Sequence, residues 1–96
     1  MATKTKKQKQ EIKKELEAGG AVLIVFNDDY NTFDFVISCF VDICKLAPEE
    51  AIAKTFSIHN NGSDIVKEGE YDELKIMKDE LIDCGLSAAV QRPDYN

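Results

Sequence analysis

The chain has 96 residues, enough for one small domain with a modest core and little room for a deep active site. Its charge is unevenly distributed along the sequence. Residues 1–20 carry six lysines and three glutamates, a net of +3, whereas residues 21–96 carry six basic and fifteen acidic side chains, a net of −9. Such an acidic domain argues against nucleic acid as a partner and suits a cationic ligand or a basic protein surface.

Neither a membrane segment nor a metal framework is indicated. The longest apolar run, residues 21–26, has six residues, against the ~20 that span a membrane. The lysine-rich N-terminus lacks the apolar segment of a secretory signal, so we expect a cytoplasmic protein that makes no membrane contact. Cys39, Cys44 and Cys84 include no CxxC pair, which predicts free thiols and no cofactor or metal.

The N-terminal region differs in composition from the rest. Residues 1–20 are rich in Lys, Gln and Glu and end in Gly19 and Gly20, which predicts a flexible arm and hinge. A domain over residues 21–96 follows. It opens with residues 21–26, a continuous apolar run rich in branched side chains that is typical of a buried strand.

Three helices are predicted after this strand. Thr32 is a suitable N-cap for the first, whose apolar face recurs at spacings of three and four residues to about Lys45. Pro48 and two glutamates open the second, and Gly62 ends it. A third apolar face stops at Gly85. Ile52, Thr55, Phe56 and His59 fall on one face of the second helix.

Two further strands complete the predicted fold. Residues 63–67 form a short strand, a turn follows at residues 68–69, and the alternation of Leu86, Ala88 and Val90 predicts a last strand. The order is therefore strand, helix, helix, strand, helix, strand. It predicts an α+β fold in which a short three-stranded, mostly antiparallel sheet packs against three helices.

Asn27, Asp28 and Asp29 directly follow the first strand, where a rigid scaffold often presents functional groups. Nucleotide hydrolysis is disfavoured because the chain has no GxxxxGK[ST] loop, and a phosphoacceptor domain needs more chain and parallel strands. A hard-cation site lacks further carboxylates at the required spacing. Capture of an amine by carboxylate and amide oxygens remains open, as does a plain acidic surface turn.

Several segments together resemble the ClpS adaptors of Clp proteases. Residues 22–37 (VLIVFNDDYNTFDFVI) resemble the opening strand, NDD motif and helix of that family, and residues 48–62 (PEEAIAKTFSIHNNG) resemble its helix ending in His. Residues 69–75 (GEYDELK) and 85–88 (GLSA) resemble its closing helix and strand. The resemblance covers roughly residues 21–91. It implies the ClpS-like fold and a non-catalytic adaptor.

The resemblance also implies a task for particular residues. ClpS adaptors bind N-degron proteins, which begin with a bulky hydrophobic residue, and pass them to a Clp-family AAA+ unfoldase. By position, Asn27, Asp28 and His59 would hold the substrate's α-ammonium group, and Glu70 and Lys75 would face the N-domain of the unfoldase. The positions implied to line or gate the pocket for the first side chain are Asn31, Phe33, Val36, Thr55, Ile58 and Leu86. The lysine-rich arm would act in delivery.

The sequence departs from the commonest family pattern at the pocket. Phe33 and Thr55 stand where methionines are usual, so we hypothesise that Phe33 narrows the pocket mouth and Thr55 deepens or polarises its wall. One alternative is a regulatory interaction module on the same fold that modulates the unfoldase without reading N-termini. Another is a small enzyme using His59 with Asp28 or Cys84. We expect a monomer.

Overall fold

A computed structural model describes residues 20–92. Its six elements are β1 (Gly20–Phe26), α1 (Phe33–Asp42), α2 (Pro48–Asn61), β2 (Ser63–Glu70), α3 (Tyr71–Asp83) and β3 (Ser87–Gln91). The predicted α+β class and element order are confirmed. Residues 1–19, which hold nearly all of the predicted arm, and residues 93–96 lie outside the described part.

The sheet has the order β2-β1-β3, and β1 pairs antiparallel with both neighbours. Phe26, at the end of β1, lies opposite Ser63 of β2 and Ser87 of β3, whereas Gly20, at its start, lies opposite Glu70. The register with β2 shifts between Leu23 and Ile24. Strand β1 is therefore the central strand, and its last residue brings together the start of β2 and the start of β3.

The core forms around β1 because this strand is continuously apolar and its ladders satisfy its backbone on both sides. The largest fully buried side chains are Phe40, Leu23, Leu74, Leu81, Val25 and Cys44. They come from β1, α1, the segment after α1, and α3. These side chains belong to one buried cluster, so the central strand and the helices share a single core.

Local chemistry sets the helix boundaries largely as expected. The side-chain oxygen of Thr32 accepts a 3.2 Å hydrogen bond from the backbone N–H of Phe35, which confirms Thr32 as an N-cap. Pro48 opens α2, and Gly62 follows it with φ of 92°, in the left-handed region that favours glycine. Helix α1 ends at Asp42, earlier than predicted, and Lys45 has φ of 59°, which a helix cannot continue through.

Other boundaries differ because tertiary pairing overrides the local sequence. The predicted turn at residues 68–69 is wrong, since β2 continues to Glu70 by pairing with the first residues of β1. Gly20, predicted to be the end of the hinge, belongs to β1. The buried face of α2 consists of Ala51, Thr55 and Ile58. Of the four residues that the sequence placed on one face of this helix, Thr55 is buried, and Ile52, Phe56 and His59 are exposed.

Across residues 20–92, each helix is too short or too polar to pass through a lipid bilayer.

Candidate functional site

The loop between β1 and α1 is folded around the carboxylate of Asp28. Oδ1 of Asp28 accepts hydrogen bonds from the backbone N–H groups of Tyr30 and Asn31, each at 2.9 Å, and Oδ2 accepts one from Nδ2 of Asn31 at 3.0 Å. Such side-chain to backbone bonds are the reason that Asp is favoured in turns. The carboxylate is thereby held in one orientation at the end of the central strand.

These bonds also set the charge of Asp28. Partial burial by itself raises the pKa of this carboxyl, but the hydrogen bonds from the backbone and side chain of Asn31, and from the backbone of Tyr30, favour the charged form. The net effect lowers the pKa below its ordinary value of 3.8. Asp28 therefore presents a negative charge at neutral pH.

Two long-range bonds tie this loop to the rest of the domain. The backbone N–H of Asn27 donates to the carbonyl of Gly62 at 2.8 Å. Nδ2 of Asn31 donates to the carbonyl of Gly85 at 3.1 Å, across 54 positions of sequence. Gly62, with φ of 92°, ends α2, and Gly85, with φ of 97°, lies in the turn after α3. Both angles are in the left-handed region that glycine adopts readily. The loop is thus anchored to the ends of two helices.

An open cavity lies beside the loop, and its volume of about 330 Å³ includes space shared with solvent. It is lined by Val25, Phe26, Asn27, Asp28, Asn31, Phe33, Val36, Thr55, Ile58 and Leu86. All six residues predicted to line or gate a pocket are in this set, together with two of the three predicted amine contacts. Six of the ten lining residues are apolar, and Asn27, Asp28, Asn31 and Thr55 supply the polar groups, a combination typical of small-ligand sites.

His59, the third predicted amine contact, is not part of the lining but touches a residue that is. Its imidazole meets the ring of Phe33 edge to face, with centroids 5.1 Å apart and an interplanar angle of 70°. Phe33 makes a second such contact with Phe56, at 5.1 Å and 85°. His59 and Phe56 are three residues apart on α2, so one helix face contacts the Phe33 ring twice.

Thr55 is the only buried polar side chain among residues 20–92, with 4% of its surface exposed. Its hydroxyl donates to the backbone carbonyl of Ala51 at 2.8 Å. The hydroxyl proton is therefore engaged within the helix, which is how a threonine is accommodated at an apolar helix face. Thr55 therefore adds a small side chain to the cavity wall, and the hydrogen-bond donor of its hydroxyl is already used within the helix.

Glu70 and Lys75, predicted to contact an unfoldase, lie away from the cavity. Glu70 pairs with Gly20 at the opposite end of β1 from Phe26, and Lys75 lies on α3 with its Nζ 5.8 Å from the ring centroid of Tyr71. The guanidinium of Arg92 is 3.6 Å from the same centroid, a cation–π geometry. This end of the domain carries two cations around one aromatic ring.

Sequence reasoning missed some of the residues around the cavity. Val25 and Phe26 line it, although their strand pattern predicted only core packing. Phe56 was grouped with Thr55 on one helix face but given no role at the pocket, and 49% of its surface is exposed. The pairing of Phe33 with Phe56 and His59 has no local signal, because α1 and α2 meet only in the tertiary structure. Within residues 20–92, no group of three or more His, Cys, Asp or Glu side chains could hold a metal.

The family model described as ATP-dependent Clp protease adaptor protein ClpS matches residues 20–88. Similar proteins include the ATP-dependent Clp protease adapter protein ClpS of Thermosynechococcus vestitus, 32% identical over 73 residues that cover 75% of this chain and 78% of the relative. The protein of the same name from Clostridium acetobutylicum is 38% identical over 50 residues, which cover 52% of this chain and 50% of the relative.

A solved structure is also similar. Agrobacterium tumefaciens ClpS2 bound to L-phenylalaninamide superposes with a TM-score of 0.74 and 20% identity, over 78% of this chain and 98% of that one. At this level of identity the likeness establishes the fold alone.

Proposed function

The chain belongs to the ClpS family of adaptors for ATP-dependent Clp proteases, and from that premise we propose that it captures proteins by a free N-terminus bearing a bulky hydrophobic residue. Members of this family are adaptors rather than enzymes. The proposal assigns the charged loop to the α-ammonium group and the adjoining cavity to the first side chain. The observation that carries it is an ionised carboxylate, Asp28, held at the edge of an apolar cavity.

Asp28 has acceptor capacity left for an ammonium group. An ionised carboxylate offers about four lone-pair positions, and three hydrogen bonds to it come from Tyr30 and Asn31. One N–H of a substrate ammonium can occupy the remaining position. Asn27, in the cavity lining, and His59, against the ring of Phe33, would supply further polar groups for the amine and the first peptide unit. Hydrogen bonds to a charged donor are the stronger kind.

The cavity supports the hydrophobic half of the proposal. Val36, Ile58 and Leu86 give it an apolar wall beside Asp28, so an ammonium group and the side chain on its own α-carbon can be bound together. L-phenylalaninamide, which Agrobacterium ClpS2 binds, combines a free amine and an aromatic side chain in one residue. That ligand has the chemistry that this site would accommodate.

Delivery needs a second surface that remains free when the substrate is bound. We assign it to Glu70 and Lys75, near the start of β1. The seven residues of β1 extend about 20 Å, which separates this surface from the cavity. Substrate and unfoldase N-domain could then bind the adaptor simultaneously.

Peptide binding tests the proposal directly. We would measure fluorescence anisotropy with labelled peptides that begin with Phe, Leu, Tyr, Trp, Met or Ala, each with a free and an acetylated N-terminus. Free peptides with bulky hydrophobic first residues should bind at least about tenfold more tightly than their acetylated forms, because acetylation removes the charged donors. Asp28→Ala should abolish this preference.

Asp29→Ala is the matched control, since Asp29 is the exposed neighbouring acid, and it should retain binding. Equal binding of free and acetylated peptides, or no binding at all, would reject N-terminus capture. That result would favour a regulatory module that contacts the unfoldase through the same fold.

A further inference from the structure

We propose that Phe56, which lies outside the cavity lining, sets the selectivity of the pocket by holding the ring of Phe33 in place at its mouth. The inference deepens the proposed function and rests on it. Phe33 lines the cavity, whereas Phe56 lies outside the lining and packs edge to face against the ring of Phe33. Phe56 would therefore be a positioning residue rather than a contact of the substrate.

The geometry around Phe33 restricts how its ring can move. The Phe33 ring meets the ring of Phe56 at 85° and that of His59 at 70°, both with centroids 5.1 Å apart. These are the edge-to-face arrangements that aromatic pairs prefer. Because Phe56 and His59 belong to the same helix, α2, a rotation of the Phe33 ring would disturb both contacts together.

A fixed ring at the mouth favours some first residues over others. A flat ring held in one orientation complements the flat side chain of Phe, Tyr or Trp better than the branched side chain of Leu. If Phe33 were free to rotate, the mouth could adapt to either shape, and binding would also have to immobilise one more side chain. Removing Phe56 should therefore reduce both affinity and the preference for aromatic first residues.

Phe56 can be changed without damage to the core. Its side chain is 49% exposed and does not belong to the buried cluster, so Phe56→Ala should fold. Ile82, on α3, is 46% exposed and provides a control of similar exposure on another helix. Phe56→Tyr retains the ring and should retain the selectivity.

The experiment varies the first and second residues of the peptide independently. Affinities of wild type, Phe56→Ala, Phe56→Tyr and Ile82→Ala would be measured for peptides that begin with Phe or Leu, each followed by Ala or Leu. We expect Phe56→Ala to lower the Phe-to-Leu affinity ratio by about two- to tenfold, the range for one aromatic pair. Phe56→Tyr and Ile82→Ala should leave the ratio unchanged.

A double-variant cycle separates positioning from direct contact. In a Phe33→Leu background, Phe56→Ala should change the ratio no further, because the ring that it positions is gone. An unchanged ratio in the single variant would overturn the inference. The inference would also be overturned if the effect of Phe56→Ala on the Phe-to-Leu ratio depended on the second peptide residue, or if that effect persisted fully in the Phe33→Leu background.

Failure of the inference can be told from failure of the proposed function. If wild type prefers free over acetylated N-termini and Phe56→Ala leaves the ratio intact, only the role of Phe56 is rejected. If wild type shows no such preference, N-terminus capture is rejected and the role of Phe56 falls with it.

Discussion

The ring of Phe33 and the imidazole of His59 are in edge-to-face contact, with centroids 5.1 Å apart. The family resemblance assigns these residues different tasks, Phe33 to the side-chain pocket and His59 to the substrate amine. Under the proposed function, a change at His59 would alter both the polar groups offered to the amine and the packing against the ring of Phe33. The two effects can be separated by the choice of substitution.

His59→Phe should separate them, because phenylalanine retains a ring against Phe33 but lacks the imidazole nitrogens. We expect the affinity for free-amine peptides to fall about tenfold through a lost hydrogen bond, with the order of preferred first residues unchanged. His59→Ala should lower affinity and also weaken that order. The measurement is peptide anisotropy on both variants. Full affinity in His59→Phe would show that the imidazole nitrogens do not contact the substrate.

Asp28 should make the stability of the domain depend on pH in the acid range. A carboxyl whose pKa is lowered on folding stabilises the protein above its ordinary pKa, here 3.8, and this contribution is lost as the pH falls through the lower, folded value. Asp28→Asn cannot make the same bonds, because its amide nitrogen would face either the backbone donors or Nδ2 of Asn31. The difference in unfolding free energy between wild type and Asp28→Asn should therefore be constant near neutral pH and shrink below pH 3.8.

Urea denaturation followed by circular dichroism between about pH 5 and pH 2 would check this. Asp29→Asn serves as the charge-matched control, because Asp29 is exposed beside the same turn. A difference between wild type and Asp28→Asn that persists undiminished to the lowest pH would contradict the assignment.

Thr55 should control the depth of the pocket through its size. Thr55→Val keeps the shape of the side chain and removes the hydroxyl that donates to the carbonyl of Ala51. The free energy of unfolding should therefore change by about 1 kcal/mol or less, and the order of peptide affinities should stay the same. Thr55→Met adds volume to the cavity wall. We expect peptides beginning with Trp to lose about tenfold in affinity relative to Leu, because an enlarged wall side chain excludes the larger ligand first.

Isothermal titration of both peptides on both variants makes this comparison. If Thr55→Met leaves the ranking intact, pocket depth is not set by Thr55. If Thr55→Val alters it, the polarity of the wall matters rather than its size.

The three cysteines should differ in reactivity. Burial raises the pKa of Cys39 to about 11, with the nearby Cys84 adding to the effect, and burial also raises the pKa of Cys44 to about 11. At pH 8 only about one in a thousand of these thiols is ionised, and the thiolate is the reactive form. Cys84 is exposed and should react first with a water-soluble disulfide reagent.

We expect one thiol to react rapidly in the native protein and all three after denaturation in urea. Cys84→Ser should remove the rapid phase. Rapid reaction of two thiols in the native wild type would show that Cys39 or Cys44 becomes accessible through local opening.

Features with a local chemical cause could be predicted from the sequence. The N-cap at Thr32, the helix start at Pro48 and the glycine at position 62 each depend on side chains within a few residues. The family resemblance added the pocket residues, all of which line one cavity. Their roles in binding remain predictions.

Features that depend on distant contacts could not be predicted in this way. The polar residues 67–70 have weak strand preference, and they extend β2 only because β1 offers unpaired backbone groups beside them. The exposure of Phe56 and His59 could not be predicted, because both have the helical spacing of a core face. Their actual neighbour is Phe33, from another helix.

The position of β1 at the centre of the sheet has a mechanical consequence. A substrate held near Phe26, while an unfoldase grips the domain near Gly20, would load this strand along its own axis. Hydrogen bonds to β2 and β3 run perpendicular to that axis, so the load is shared in shear by both ladders at once. An edge strand loaded in the same direction would have a single ladder to carry the force, whereas β1 has two.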